Sequence, residues 1–266
     1  MNHLLRERAP ITETAWQQLD REARERVLPA LAARRVVDFS GPAGWEYSAV
    51  NVGRSDDIDA PAEGLRARKR RVMPAVELRA SFALSRTELE DFDRGATDID
   101  LAPLDHAAAR IARAENIAVF HGWPTAGITG MAAGTFPALP LPGDYRGYAG
   151  VVAQAVEQIR AAGINGPYAL ALGPDAYTGV VGSAEDGGFP VSEHLRRVLE
   201  GPVVWAPGVS GGVVASLRGG DFTLYSGQDL SLGYHHHDAD VVHLYLEESF
   251  TFVVTTAEAA VALAPS

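Results

Sequence analysis

Residues 104–120, LDHAAARIARAENIAVF, constrain the fold more than any other stretch of this chain. A helical step of about 100° per residue puts Leu104, Ala107, Ala108, Ile111, Ala114, Ala118 and Val119 on one face. Asp105, His106, Arg110, Arg113 and Asn116 fall on the other. Pro103 suits the first turn, where a missing N–H costs nothing, and Gly122 suits the C-terminal end. A face built mostly of alanine lets a sheet or a second helix come close. Glu115 breaks the apolar stripe. A carboxylate there needs a partner or a proton, because an unpaired buried charge is expensive. A cationic side chain or backbone N–H groups from the polar stretch at 51–73 or from the strands are the expected partners, and a catalytic acid is the alternative.

The 266 residues make one large or two modest domains with a core of their own. A net charge of −11 argues against nucleic acid as a partner and gives no attraction to anionic lipid. There is no cysteine, so neither a disulfide framework nor thiolate chemistry is available, which fits a cytoplasmic setting. The beginning, MNHLLRERAPITE, lacks the apolar segment of a signal peptide, and no apolar run is long enough to span a membrane. No repeat of fixed period recurs.

In chain order, Thr12 is placed to cap a helix starting at Glu13, with Trp16, Leu19, Ala23, Val27, Ala30 and Leu31 at helical spacing. Pro29 ends or kinks it near Leu28. Residues 35–39 read as a short strand closed by Ser40-Gly41-Pro42. Residues 51–73 are polar on both faces, with a turn at 60–64. There Arg66, Arg68, Lys69, Arg70 and Arg71 oppose Asp56, Asp57 and Asp59. Such strands bury no face of their own. They read as an arm reaching over a neighbouring subunit or as a solvated hairpin. A strand at 76–84 leads to a helix at 86–94, with Ser85 as its expected cap and Gly95 as its stop.

The loop 121–142 has glycines at 127, 130 and 134 but no phosphate-binding pattern. A second unit begins near Asp144, with a helix lined by Val152, Ala155, Val156, Ile159 and Gly163. A strand at 168–172, a helix from Pro174, an exposed acidic loop at 182–190 and a helix at 193–200 capped by Ser192 follow. Strands at 203–206, 212–217 and 221–224, a segment at 229–233 and a long strand at 241–255 complete it. Short helices and strands without regular βαβ alternation define an α+β fold.

Chemistry-bearing motifs are few. His235, His236, His237 and His243 with Asp238 and Asp240 form the one metal-like cluster, and a hydrolase built on it is the enzymatic alternative. Its spacing matches no zinc signature, and neighbouring turn residues suit a solvated loop. Ser210 in Gly208-Val209-Ser210-Gly211-Gly212 is misplaced for a nucleophile elbow, and no HExxH, Walker or dinucleotide pattern occurs.

Six collinear blocks carry a resemblance: APITETAWQQLDREAR, RRVVDFSGPAGWEY, VELRASFALSRTELEDFDRG, GINGPYALALGPDAY, RGGDFTLYSGQDLSLGY and VVHLYLEESFTFVV. Together they resemble the encapsulins of the first family, shell proteins of bacterial nanocompartments. The resemblance implies the Hong Kong 97-type capsid fold, assembled from copies of this chain into a closed icosahedral shell, at smallest T=1. It assigns residues 1–33 to a cargo-docking helix and 51–74 to the E-loop. Residues 34–50, 75–133 and 222–266 become the P-domain, and 134–221 the A-domain around the symmetry axes.

It further implies a non-enzymatic, cytoplasmic compartment. Its cargo, a dye-decolourising peroxidase or a ferritin-like protein, docks through a C-terminal targeting peptide. By position, Val27, Leu31, Arg34, Asp38, Asp229 and Leu230 become the docking residues, and Glu185, Asp186, Gly187, Gly188 and Phe189 the pore loop. Pro29 departs from the helix formers expected beside that pocket. Arg86 and Thr87 stand where some members carry a flavin-binding aromatic residue, so neither flavin nor any other cofactor or metal is expected. A phage or prophage major capsid protein is the competing structural reading.

Overall fold

A computed structural model describes residues 3–185 and 187–265. Its helices are α1 (Glu13–Val27), α2 (Arg86–Asp93), α3 (Ala102–Phe120), α4 (Tyr148–Ala161), α5 (Pro174–Gly182) and α6 (Val191–Leu199). The strands are β1 (Asp38–Ser40), β2 (Ala49–Ile58), β3 (Ala67–Pro74), β4 (Val76–Ser85), β5 (Leu139–Pro140) and β6 (Tyr168–Leu172). They continue with β7 (Val203–Trp205), β8 (Gly212–Ser216), β9 (Phe222–Ser226), β10 (Ser231–His237), β11 (Val241–Val254) and β12 (Ala260–Ala264).

The long β11 organises the first sheet. One edge pairs with β4 along its first ten residues, and the other pairs first with β10 and then with β9, beyond which β1 adds in parallel. Being central, β11 is buried on both faces for most of its length. The helix α3 lies across β4 and β11, and α1 packs on α3. Ala107, Ala108, Ile111 and Ala112 of α3 meet Ala80, Phe82, Leu84, Leu244 and Leu246 beneath and Trp16, Leu19, Ala23 and Val27 above. The small alanine side chains let one helix serve both layers.

The second sheet runs β5-β12-β8-β6-β7, with α4 and α6 packed on it. Val152 and Ile159 of α4 and Leu195 of α6 fill its core with Leu170, Val213 and Val261. The last strand departs from the division expected at 222–266. β12 leaves the first sheet and pairs with β8 and β5, because its apolar sequence AVALA fills the slot between them.

The arm expected at 51–73 is a two-stranded ribbon, β2 with β3, largely exposed. Its register sets Asp56 against Lys69 and Asp57 against Arg68. Asp57 also pairs with Arg66 at 3.1 Å, and Asp56 with Arg71. Ile58, Leu65 and Val72 stay exposed on it.

Local differences from the sequence reading have local causes. The strand expected at 35–39 shrinks to β1, because Ala33–Arg35 is a 3-10 turn. The Ser85 hydroxyl makes no cap for α2; the Arg86 N–H donates instead to the Asp240 carbonyl at 2.9 Å. α6 begins at Val191 after Pro190, so Ser192 lies inside the helix rather than capping it. Gly163 lies past the end of α4 at φ +78°, a left-handed position that glycine takes without strain.

Candidate functional site

The site begins where α1 stops. The Thr12 hydroxyl oxygen accepts the Ala15 N–H at 3.1 Å and starts the helix. Pro29 stops it: α1 ends at Val27, and the chain turns through 3-10 segments at Leu28–Ala30 and Ala33–Arg35. Asn116 of α3 pins this turn. Its side chain accepts the Ala33 N–H at 3.0 Å and donates to the Ala30 and Pro207 carbonyls at 2.8 and 3.0 Å. The residue expected on the polar face of the helix is therefore fully buried, because the turn folds over it.

So held, Arg34 reaches into an acidic cluster. Its Nε donates to Glu115 Oε2 at 2.8 Å, its Nη1 to Asp229 Oδ1 at 2.7 Å, and its Nη2 to Glu248 Oε2 at 3.0 Å. Glu115 is 0% exposed and Glu248 1%. The partner of Glu115 is thus a cation, supplied by the turn after α1 and not by the polar arm or the strands, because Pro29 turns the chain back over α3. Burial pushes the Glu248 carboxyl well above the usual carboxylate range, and the neighbouring Glu115 pushes it further. Burial disfavours the Arg34 charge, but Glu115, Glu248 and Asp229 outweigh it and raise the guanidinium pKa. Phe39 stacks on the guanidinium, 4.8 Å from its ring centre.

Above this cluster lies a cavity of about 270 Å³ between α1 and the start of β10. Its apolar seat is made by Val27, Leu28, Leu230, Leu232 and Leu246. Leu28 is 55% exposed, an unusual state for a leucine at a helix end. Two ion pairs flank the seat, Arg34–Asp229 at 2.7 Å and Arg6–Asp20 at 2.8 Å. The cavity can hold an extended apolar segment and offers acceptors and donors to its polar backbone.

Of the six docking residues expected from the sequence, Val27, Arg34, Asp229 and Leu230 line this cavity together. Leu31 does not. It is buried in the core between α1, α3 and the first sheet. Its helical spacing stopped being a guide once Pro29 turned the chain. Asp38 borders a separate depression of about 120 Å³, where its carboxylate accepts the Gly220 N–H at 2.6 Å. Sequence reasoning missed Arg6, Asp20 and Leu28. Only Leu28 left a signal, as an apolar residue on the outward side of the helix beside a proline.

Glu185, Gly187, Gly188 and Phe189 form an exposed turn, closed by the Glu185 N–H on the Phe189 carbonyl at 2.8 Å; Asp186 lies outside the described residues. The Glu185 carboxylate lies 2.5 Å from His194 Nδ1, and Arg197 stacks on Phe189. His235, His236 and His237 extend β10 instead of lying in a loop, and all three are exposed. Among the described residues no three His, Cys, Asp or Glu side chains converge as a metal site. Nor is any described helix long and apolar enough to cross a membrane.

This architecture matches solved shells. It aligns with the virus-like particle of Pyrococcus furiosus over 92% of this chain and 98% of that one, with a TM-score of 0.62 at 17% identity. It aligns with the capsid of Myoviridae phage XM1 over 89% and 92%, with a TM-score of 0.56 at 12% identity. The fold is the Hong Kong 97-type fold of capsid shell subunits.

Sequence narrows the class. The profile of the family described as "encapsulating protein for peroxidase" matches residues 1–251. The type 1 encapsulin shell protein of Rhodospirillum rubrum is 48% identical over 99% of this chain and 96% of its own length. That of Mycobacterium tuberculosis is 44% identical over 99% of each chain. The chain belongs to the encapsulin shell-protein family, and its function is that of a self-assembling shell subunit rather than of a phage capsid.

Proposed function

We propose that copies of this chain close into an icosahedral shell in the bacterial cytoplasm, at smallest T=1, and that the cavity beside Arg34 receives the C-terminal peptide of an enclosed enzyme. The observation that carries the docking reading is a cavity whose apolar wall joins the exposed Leu28 to the half-buried Leu230, with the buried Val27 behind them and two ion pairs at its rim. An extended peptide laid there covers apolar surface that nothing in its own chain covers, and the flanking charges fix its direction. The family description, an encapsulating protein for peroxidase, supports a peroxidase as occupant, and a ferritin-like protein is the alternative cargo.

In this reading the shell itself catalyses nothing. Residues 51–74 are the E-loop that clasps a neighbour, since the ribbon buries little of itself. Residues 134–221, joined by β12, are the A-domain, and the turn at 185–189 borders a pore. The P-domain is the first sheet with α3, covered by α1, the docking helix of the N-terminal segment.

Leu230→Asp tests the docking site. Leu230 is half-buried at the cavity wall, so the subunit tolerates the change, whereas Leu31→Asp would break the core. Co-expressed with a peroxidase carrying its C-terminal peptide, the variant is expected to give intact shells without cargo. Intact shells with a full load would place docking elsewhere.

A further inference from the structure

The cluster under the cavity has more negative charge than its one cation can balance. Glu115 and Glu248 are both fully enclosed, and their Oε2 atoms share the Nη2 of a single guanidinium, that of Arg34. The remaining Oε1 of each carboxyl is buried with no hydrogen-bond donor in reach. Arg34 also serves Asp229. Two buried carboxylates side by side cannot both ionise when one cation is divided among three acids. The two carboxyls meet at one guanidinium nitrogen and are hydrogen-bonding neighbours when one carries a proton.

Among the described residues Arg34 is the cation that contacts Glu115 and Glu248. The groups facing Glu248 are Glu115 on α3, Arg34 on the turn after α1, and Asp229 before β10. Across the cavity α1 and the segment before it present Asp20, Arg24 and Arg6, and Arg6 is engaged by Asp20. The adjacent Glu247 points to the other face of β11, where His3 and Arg79 hold it. Phe39, over the guanidinium, is uncharged.

We propose that Glu115 and Glu248 share one proton, forming a carboxyl–carboxylate pair that ties the turn after α1 to α3 and β11 only while that proton is held. The pair is a proton-dependent staple beneath the cavity. The folded state holds a proton that the unfolded chain releases in the ordinary carboxyl range, so the staple is at full strength in acid. It weakens as pH rises from the ordinary carboxyl range through the raised titration of Glu248. Loss of the proton puts a second negative charge in a closed site and loosens the wall that carries Arg34.

The test uses the assembled shell and two single variants with their double. Glutamine mimics the protonated carboxyl and can donate an N–H to its neighbour. Glu115→Gln and Glu248→Gln are each expected to keep or raise the melting temperature and to flatten its decline as pH rises above the ordinary carboxyl range. The double variant leaves Arg34 with Asp229 alone as its counter-charge and is expected to melt below wild type at every pH. Infrared spectroscopy of the wild-type shell at neutral pH is expected to show the C=O stretch of a buried protonated carboxyl, and this band is lost in either single variant. Absence of that band in wild type would overturn the proposal whatever the variants do. So would single variants that both melt lower while keeping the wild-type pH slope.

Discussion

Replacing Arg34 by methionine removes the only cation from the buried acids and leaves a side chain that still fits the space beside Phe39. Glu115, Glu248 and Asp229 lose every contact that the guanidinium made. Asp229 is partly exposed and turns to water at little cost. The buried pair cannot, and its remaining charge must be neutralised by a further proton. Taking a carboxyl of ordinary pKa 4.5 to its neutral form at pH 7 costs about 3 kcal/mol, at roughly 1.4 kcal/mol per pH unit. That agrees with the roughly 3–5 kcal/mol measured when one partner of a buried ion pair is removed. For a chain of this size the loss corresponds to a fall in melting temperature of about 10 °C. The proton becomes easier to supply in acid, so the penalty should shrink to about 1 kcal/mol near pH 5. Thermal melts of Arg34→Met and wild type, compared at both pH values, check this. A variant that melts with wild type at pH 7, or a penalty that grows in acid, refutes the charge balance drawn above.

Two further outcomes follow from the same geometry. Asn116→Ala strands the Ala33 N–H in the interior and takes one donor each from the Ala30 and Pro207 carbonyls, so denaturation should show a loss of about 1–3 kcal/mol, with weaker cargo capture because the turn carrying Arg34 is no longer pinned. Deleting residues 55–70 removes most of a ribbon that buries little within its own subunit, so the subunit should stay folded by circular dichroism while electron micrographs show no closed particles.

The periodicity of residues 104–120 gave away α3, its alanine face and the anomaly at Glu115 before any coordinates. The partner of Glu115 was not legible, because Arg34 stands 81 positions away and meets it only through the turn that Pro29 starts. Glu248 was hidden for another reason. Adjacent acids in a strand point to opposite faces, so Glu247 and Glu248 suggest one wet side, yet β11 is central and both are buried. Asn116 looked like a surface residue by helical projection, which knows nothing of a loop folding over that face. The arm was plain from its two-sided polarity. β12 was not, since five small apolar residues near the end of the chain carry no period and declare themselves a strand only beside β8. Of the residues expected to dock cargo, Val27, Arg34, Asp229 and Leu230 share one cavity; Asp38 borders another depression, and Leu31 is in the core because helical spacing does not extend across a proline.

The cavity beside Arg34 is proposed to seat the cargo's terminal peptide. A density map of shells co-expressed with a peptide-bearing peroxidase tests it most directly. The account predicts density for an extended peptide on the inner wall of the shell, against Val27, Leu28 and Leu230 and beside the Arg34–Asp229 pair, absent from shells made without cargo. Loaded shells whose cavity is empty, with peptide density on another surface, would contradict it.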